Sequence, residues 1–167
     1  TLSRVVPNLD SASEVYENFI KLGFDGINPM GKNRAEMVYQ GKYCRIIRRA
    51  LQKKFSFLPP LKYDYPKVMK HFYMPEDQWN NVFPTLFPQW DRTPRAGKHE
   101  GIYINATPQN FEEHIRGALQ IIRNKPDDKK ILFLRSWNEW GEGNYVEPDS
   151  LYGHGFLDAI KNEIKAE

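Results

Sequence analysis

The chain has 167 residues, of which 40% are hydrophobic and 27% are charged, and its formal net charge is +3. These values are ordinary for one globular domain covering residues 1–167, and they exclude a low-complexity chain. No apolar run approaches the roughly 20 residues of a membrane-spanning helix, and no segment resembles a signal peptide. The first residue is Thr1, so we expect an upstream segment. The lone cysteine, Cys44, favours a reducing, cytoplasmic compartment.

Hydrophobic periodicity and turn residues divide the chain into helices and strands. In chain order, the sequence predicts a helix at 11–22, a strand at 24–29, a helix at 34–54, a short helix at 65–73, a strand at 81–87, a helix at 108–123, a strand at 130–136 and a helix at 153–165. Residues 2–6 are a further candidate strand, and the stretches 55–61 and 88–95 are predicted to be irregular.

Local signals support several of these elements. Ser11 with Glu14 forms a capping-box pattern at the first helix, and Thr107 followed by Pro108 is typical of a helix start. Gly41 interrupts the predicted helix 34–54. The predicted apolar stripes are Tyr39, Tyr43, Ile46, Ile47, Ala50 and Leu51 in that helix, Phe111, Ile115, Ala118, Leu119 and Ile122 in the next long one, and Phe156, Leu157, Ile160 and Ile164 in the last.

Strands that alternate with helices indicate a parallel sheet. Polar residues that suit a binding site follow the predicted strands directly, as they do at the catalytic face of a (β/α) barrel. A full barrel needs eight strands, and the chain supplies three or four. We therefore predict an α/β fold that forms the C-terminal half of a (β/α)8 TIM barrel.

Two carboxylates follow the apolar run from Ile131 to Leu134, which we predict to be a buried strand. Glu139 and Glu142 are separated by a tryptophan and a glycine, so they should share one concave site at the carboxyl end of that strand. Acid/base catalysis at a glycosidic bond typically uses two carboxylic acids that lie close together. They are our candidate catalytic residues, although solvated loop charges are the alternative.

Other residues near these strand ends are candidates for binding a sugar. They are Asn138, Trp140, Trp90, Asp91 and Arg95. The alternatives are a turn for Asn138 and, for Asp91 with its arginine neighbours, a charge-assisted hydrogen bond that holds the loop. Trp137 is expected in the core, whereas Glu147, Asp149 and Tyr145 are expected to shape the next loop.

No metal site and no cofactor is predicted. The histidines His71, His99 and His114 have no spacing typical of metal ligands, and a structural role is expected for His154. No glycine-rich phosphate loop is present. Cys44 is expected to pack in a helix. A basic cluster is either a solvated helix face or a surface that contacts phosphates or an anionic membrane; its members are Lys42, Arg45, Arg48, Arg49, Lys53 and Lys54.

The segment 136–149, Ser-Trp-Asn-Glu-Trp-Gly-Glu-Gly-Asn-Tyr-Val-Glu-Pro-Asp, resembles the WbsX-like glycosyltransferase family, whose members are similar to the endo-α-mannosidases of glycoside hydrolase family 99. Four further segments carry the resemblance, at 23–26, 87–95, 106–111 and 152–157. It implies a (β/α)8 barrel that acts on an oligosaccharide or a surface polysaccharide such as lipopolysaccharide. It covers most of this chain but only the C-terminal part of the family domain.

The resemblance also implies roles for the two glutamates. The residue matching Glu139 removes a proton from the sugar 2-hydroxyl, whose oxygen attacks the anomeric carbon, and the residue matching Glu142 protonates the leaving oxygen. Water then opens the epoxide-like intermediate. A raised pKa, which the acid needs, would come from burial beside Trp140 and from a like-charged neighbour. Transfer and hydrolysis both remain open.

Three functions compete at this stage. The first is a glycosyl-transferring or glycoside-hydrolysing domain, and the second is a non-catalytic carbohydrate-binding barrel. The third is a membrane-surface or nucleic-acid binder that uses the basic helix, although we expect no nucleic-acid partner. Because a half-barrel leaves a sheet edge open, we also expect either self-association or a missing N-terminal half.

Overall fold

A computed structural model describes residues 12–55, 58–97 and 101–166. The helices are α1 (Ser13–Lys21), α2 (Lys32–Gln40), α3 (Lys42–Lys54), α4 (Tyr65–Met69), α5 (Thr93–Ala96), α6 (Pro108–Ile122) and α7 (Gly155–Lys165). The strands are β1 (Lys62–Asp64), β2 (Thr85–Leu86), β3 (Ile102–Ile104), β4 (Phe133–Leu134), β5 (Asn138–Glu139) and β6 (Asn144–Tyr145). Short 3-10 helices cover Pro75–Gln78, Asp127–Lys129 and Trp140–Glu142.

The strands pair in parallel where helices separate them. β1 pairs with β3, β2 pairs with β4, and Ile27 makes a single parallel bridge to Val82. β5 and β6 form a short antiparallel hairpin. The predicted α/β class with parallel strands is therefore confirmed, but the described ranges form three two-stranded sheets and no closed barrel.

The sequence missed four short strands, the helix α5 and one helix break. β1, β3, β5 and β6 lie in stretches for which no strand was predicted, and α5 overlaps the stretch 88–95 that was predicted to be irregular. The predicted strand 24–29 is reduced to the bridge at Ile27. The predicted helix 34–54 is two helices, because Gly41 adopts a φ of +82° at the junction of α2 and α3. The candidate strand 2–6, Ser11 and His99 lie outside the described residues.

Helix α6 follows its prediction closely. The Thr107 hydroxyl accepts a 3.2 Å hydrogen bond from the Asn110 amide, which satisfies one of the donors left free at a helix start. The predicted apolar stripe is buried along its whole length. It packs into the main core with aromatic residues of β1, β3 and α4 and of the segments that follow α4 and β2, namely Tyr63, Tyr65, Phe72, Phe87, Trp90 and Tyr103.

Several residues predicted to be buried are exposed instead. Ile131 and Phe133 are 43% and 46% exposed, because β4 has only β2 as a described neighbour and its outer side is uncovered. On α3 the apolar stripe faces outward, and Cys44 is exposed with it. Ile164, near the end of α7, is also exposed. In each case a helix or strand forms at the predicted place, but the described residues do not provide the packing partner that burial requires.

A buried group of charges supports one wall of the core. Glu36 of α2 forms ion pairs with Lys32 at 2.8 Å and with Arg45 at 2.6 Å, and all three side chains are almost fully buried. The Lys32 ammonium lies 4.3 Å from the centre of the Trp90 ring. Because Glu36 holds Lys32 in place, the contact with the Lys32 ammonium helps to fix the position of the Trp90 ring.

The described ranges contain seven α-helices, and the longest of them, α6, has 15 residues. In this part of the chain no helix combines the length and the apolar character that crossing a membrane requires.

Candidate functional site

The loop that follows β4 carries both candidate catalytic glutamates. It is closed on itself by Ser136, whose amide donates to the Asn144 side chain at 2.8 Å and whose hydroxyl donates to the Asn144 carbonyl at 2.6 Å. Glu139 ends β5, and Glu142 lies in the 3-10 turn between β5 and β6. The two glutamates are thus held at the carboxyl side of β4 by a short hairpin.

Arg95 brings the two carboxylates together. One of its terminal nitrogens lies 3.7 Å from Oε1 of Glu139 and 3.7 Å from Oε1 of Glu142. The two oxygens are therefore separated by no more than twice this distance, which is below the upper limit of roughly 9.5 Å at which glycosidase carboxylates work together. The catalytic role of the pair itself stays a prediction.

The two glutamates have different surroundings. Glu142 has a side chain that is only 12% exposed, and it pairs with Arg92 at 3.1 Å and with Arg135 at 3.8 Å in addition to Arg95. Glu139 is 46% exposed and contacts Arg95. The charged contacts of Glu142 are thus guanidinium groups, whereas the sequence had suggested Trp140 and a like-charged neighbour.

A second loop provides two of these arginines. Its residue Asp91 accepts hydrogen bonds from the Thr93 amide at 2.9 Å and from the Thr93 hydroxyl at 2.6 Å, so its carboxylate closes a turn at the start of the short helix α5. Arg92 and Arg95 flank that start and point to the glutamate loop. The Asp91 amide donates to the Glu142 carbonyl at 2.9 Å, which joins the two loops through their backbones.

Trp140 forms one side of an aromatic platform. Its ring stacks on Tyr145 with centroids 3.6 Å apart and planes inclined by 17°. The Trp140 indole nitrogen donates a 2.7 Å hydrogen bond to Glu147, and Gln89 donates to the Tyr145 carbonyl at 3.0 Å. Trp140 is still 48% exposed. A half-exposed ring that is held in place offers an apolar face to a ligand.

A cavity of about 290 Å³ lies between the two loops. Its lining consists of Gln89, Trp90, Asp91, Pro94, Tyr103, Trp140, Gly143 and Tyr145. Among the predicted sugar-binding residues, Trp90, Asp91 and Trp140 line this cavity, Arg95 contacts both glutamates, and Asn138 is exposed in β5 beside Tyr145. The structure thus gathers these residues around one site, and their contact with a sugar stays a prediction.

Sequence reasoning missed part of this site and misplaced one residue. Arg135 and Tyr103 were not predicted, although Arg135 directly follows β4 and its position after a strand was a usable signal. Trp137 was assigned to the core but is 54% exposed. Asp149 shapes its loop as expected, since it accepts from the amides of Leu151 and Tyr152.

Within the described ranges, no group of three or more His, Cys, Asp or Glu side chains could hold a metal ion. The carboxylates of the site make their ion pairs with arginines.

A family model described as Glycosyltransferase WbsX matches residues 7–160. The chain belongs to the WbsX glycosyltransferase family. Membership supports a carbohydrate-active enzyme of the glycosyl-transfer type. Both loops of the candidate site lie inside the matched range of this WbsX-family domain.

Two curated proteins are similar to the WbsX-family domain. Each is described as uncharacterized protein WxcX, and they come from two strains of Xanthomonas campestris pv. campestris. Both are 32% identical over 84 residues, a match that covers 50% of this chain and 12% of the relative, so the chain spans about an eighth of the length of these relatives. No solved structure matches the WbsX-family domain at a significant level.

Proposed function

We propose that this domain catalyses glycosyl transfer, or retaining hydrolysis of a glycosidic bond, with Glu139 and Glu142 as its acid/base pair. The observation that carries the proposal is the pair of 3.7 Å contacts that both carboxylates make with Arg95, beside the cavity. Arg95 counters the repulsion between the two carboxylates, which would otherwise separate them.

In the proposed reaction, Glu139 takes the proton of the sugar 2-hydroxyl while that oxygen bonds to the anomeric carbon. The bond from the anomeric carbon to the leaving oxygen breaks, and Glu142 gives the leaving oxygen a proton. A hydroxyl then opens the three-membered ring at the anomeric carbon, giving its proton to Glu142, while Glu139 returns a proton to the 2-oxygen. Water as the incoming group gives hydrolysis, and an acceptor sugar gives transfer.

The aromatic platform supports a sugar substrate. Tyr145 covers one face of Trp140, and half of the Trp140 surface remains exposed next to the cavity. The carbon face of a pyranose is apolar, so it can lie on an aromatic ring while its hydroxyls meet charged groups at the edges. Arg95 and Glu139, both partly exposed, are such groups.

The finer parts of this proposal concern fold, substrate and compartment. We propose that the parallel pairs β1–β3 and β2–β4 belong to a (β/α)8 barrel, because the site residues follow strand ends. The proposed substrate is an oligosaccharide or a cell-surface polysaccharide such as lipopolysaccharide, which the enzyme meets in the cytoplasm. The compartment is proposed from the lone cysteine.

The test compares two substrates in the complete protein that carries this domain. Glu142→Gln should reduce turnover of an oligosaccharide by roughly 10²–10⁴-fold, since its leaving group needs a proton. An aryl glycoside of the same sugar has a better leaving group and should lose much less. If Glu139→Gln gives this pattern instead, the two roles are reversed, and equal losses on both substrates with Glu142→Gln would contradict the acid role.

A non-catalytic carbohydrate-binding barrel is the alternative, and the platform of Trp140 and Tyr145 would serve it equally well. Turnover separates the two functions. If neither glutamate variant changes turnover of any tested glycoside, while Trp140→Ala abolishes sugar binding by calorimetry, the binding function is favoured.

A further inference from the structure

Helix α3 turns an apolar face away from the protein. Tyr43 is 77% exposed, Ile46 is 56% exposed, Ile47 is 60% exposed and Leu51 is 41% exposed. Tyr43 is three and four residues before Ile46 and Ile47, and Ile47 is four residues before Leu51, so they form one continuous stripe along the helix. Four large apolar side chains on one short helix exceed the scattered single exposures that are normal at a protein surface.

The orientation of α3 is fixed by its opposite, polar face. Arg45 is 7% exposed and pairs with Glu36 at 2.6 Å. Two turns later, Gln52 is 2% exposed and donates a 2.8 Å hydrogen bond to the Pro59 carbonyl. Rotating the helix to bury the stripe would expose Glu36 and break both contacts. The outward direction of the apolar face is therefore built into the fold.

The charge of α3 narrows the choice of partner. Its thirteen residues, KYCRIIRRALQKK, include six Lys or Arg and no Asp or Glu. Lys42 and Lys54 are exposed at the two ends of the stripe. A second copy of the chain placed on the same face would bring two strongly basic helices together, which like charges oppose. A partner surface that is apolar inside and negatively charged outside can bury the apolar stripe and attract the lysines at the same time.

We propose that α3 docks this domain on an anionic lipid surface. The helix lies in the plane of the interface, with Tyr43, Ile46, Ile47 and Leu51 inserted below the headgroups and Lys42 and Lys54 beside the lipid phosphates. Amphipathic helices of this kind insert roughly 5 to 10 Å, and both apolar burial and charge contribute to their binding. This proposal is independent of the chemistry proposed for the glutamates.

The first experiment is sedimentation of the chain with lipid vesicles. Vesicles of phosphatidylcholine mixed with phosphatidylserine should bind the chain, and vesicles of phosphatidylcholine alone should bind it far less. Raising the salt concentration should weaken binding to the anionic vesicles, because exposed charges are screened. Failure to bind anionic vesicles at low salt overturns the proposal.

Two variants with matched controls locate the binding face. Ile47→Ser should weaken vesicle binding by about tenfold or more, since it removes a side chain that inserts. Ile164→Ser, at a position of equal exposure (61%) on α7, should have no effect. Lys42→Gln with Lys54→Gln should weaken binding about 25-fold, at about fivefold for each charge, while the exposed pair Lys161→Gln with Lys165→Gln on α7 should lower binding much less.

The lone cysteine provides a second readout in the unmutated chain. Cys44 is exposed and precedes Ile47 by one turn, so a polarity-sensitive fluorophore attached to it reports on the stripe. Its emission should move to shorter wavelength when anionic vesicles are added. No change in emission while the chain sediments with vesicles would show that another face binds, which contradicts the proposal.

Two other results would replace the membrane with a different partner. If the chain does not bind vesicles but forms a dimer, and Ile47→Ser dissociates that dimer, the stripe is assigned to contact with a second copy. Binding of duplex DNA with steep salt dependence, again without vesicle binding, would assign the helix to nucleic acid. Far-UV circular dichroism of each variant shows whether the chain is still folded, and a loss of vesicle binding counts for the proposal only in folded variants.

Discussion

Gly143 lies directly against the backbone of Asp91. A Cβ atom at position 143 would come within 2.8 Å of both the nitrogen and the carbonyl oxygen of Asp91. The Asp91 amide also donates to the Glu142 carbonyl. Because Arg92 and Glu142 flank these contacts, the approach of the two backbones sets the distance between the glutamate and the arginine that pairs with it at 3.1 Å.

Replacing Gly143 by alanine should therefore separate the two loops. Gly143 has a φ of +52°, so alanine would carry the strain of a left-handed conformation, of about 1 kcal/mol, and in addition a clash with Asp91. Gly153→Ala is the control, because Gly153 has a φ of +55° and open space around it. Urea unfolding should show a larger loss of stability for Gly143→Ala, and equal losses would mean that the loops tolerate separation.

Arg95→Ala should reduce activity while leaving stability almost unchanged. Arg95 is 58% exposed, and an exposed ion pair contributes at most about 1 kcal/mol to folding. Its removal leaves the two carboxylates without their shared cation, so kcat should fall. Arg116→Ala is the control, since Arg116 is 54% exposed and pairs with Glu163 at 2.6 Å away from the site. Steady-state kinetics and thermal unfolding of both variants check the prediction, and similar kcat values would contradict it.

Glu147→Ala should weaken substrate binding more than it slows the chemical step. Glu147 accepts the 2.7 Å hydrogen bond from the Trp140 indole, and without it the ring has lost one of the contacts that hold it on Tyr145. A hydrogen bond to a charged group is worth about 1.5 to 3 kcal/mol, so KM should rise roughly tenfold or more. Glu147→Gln keeps an acceptor oxygen and should restore most of the affinity. A rise in KM that glutamine does not reverse would point to the charge, not to the position of Trp140.

Two buried groups give stability opposite dependences on pH. Burial lowers the pKa of His114 from 6.5 to about 3, so the folded chain lacks a proton that the unfolded chain binds between these values. Burial raises the pKa of Asp77 from 3.8 to about 6, although the hydrogen bond from the Met74 amide acts in the opposite direction. Between these values the folded chain therefore holds a proton that the unfolded chain releases. Stability from His114 thus falls as pH drops, and stability from Asp77 falls as pH rises.

Between pH 4 and 6 these two effects should nearly cancel. Asp77→Asn removes one of them while keeping an oxygen that can accept from Met74. The variant should gain stability with rising pH by about 1.4 kcal/mol per unit across this range, whereas the parent chain should change little. Urea unfolding at several pH values measures both slopes. Parallel slopes for the two chains would show that Asp77 is not protonated in the fold.

The parts of the fold that the sequence predicted depend on local signals. The cap at Thr107 and the apolar stripe of α6 were predicted because the residues that indicate a helix start and a helical period lie close together in the sequence. β1 and β3 were missed because three residues are too few to show a period of two. Their pairing is decided by Tyr63 and Tyr103, which meet in the core from distant parts of the chain.

At the candidate site, too, local features were predicted from the sequence, whereas contacts between distant loops were not. The sequence placed Glu139 and Glu142 after a strand, and the structure agrees with that placement. It did not predict that arginines, one of them from the strand's own end, would surround Glu142. It also assigned Trp137 to the core from its size. Both points depend on which loops meet in space, as those of Asp91 and Glu142 do through their backbones.

The charges behind Trp90 divide the cavity into a side that can be redesigned and a side that resists it. Removing Glu36 leaves the buried cations Lys32 and Arg45 without the carboxylate that they share, which typically costs about 3 to 5 kcal/mol. A new ligand shape on the Trp90 side is therefore limited by Glu36, which cannot be replaced without also replacing the cations that it holds, one of which lies over the Trp90 ring. On the opposite side, Trp140 is half exposed and can be exchanged in one step. Variants selected for a different sugar should accumulate there.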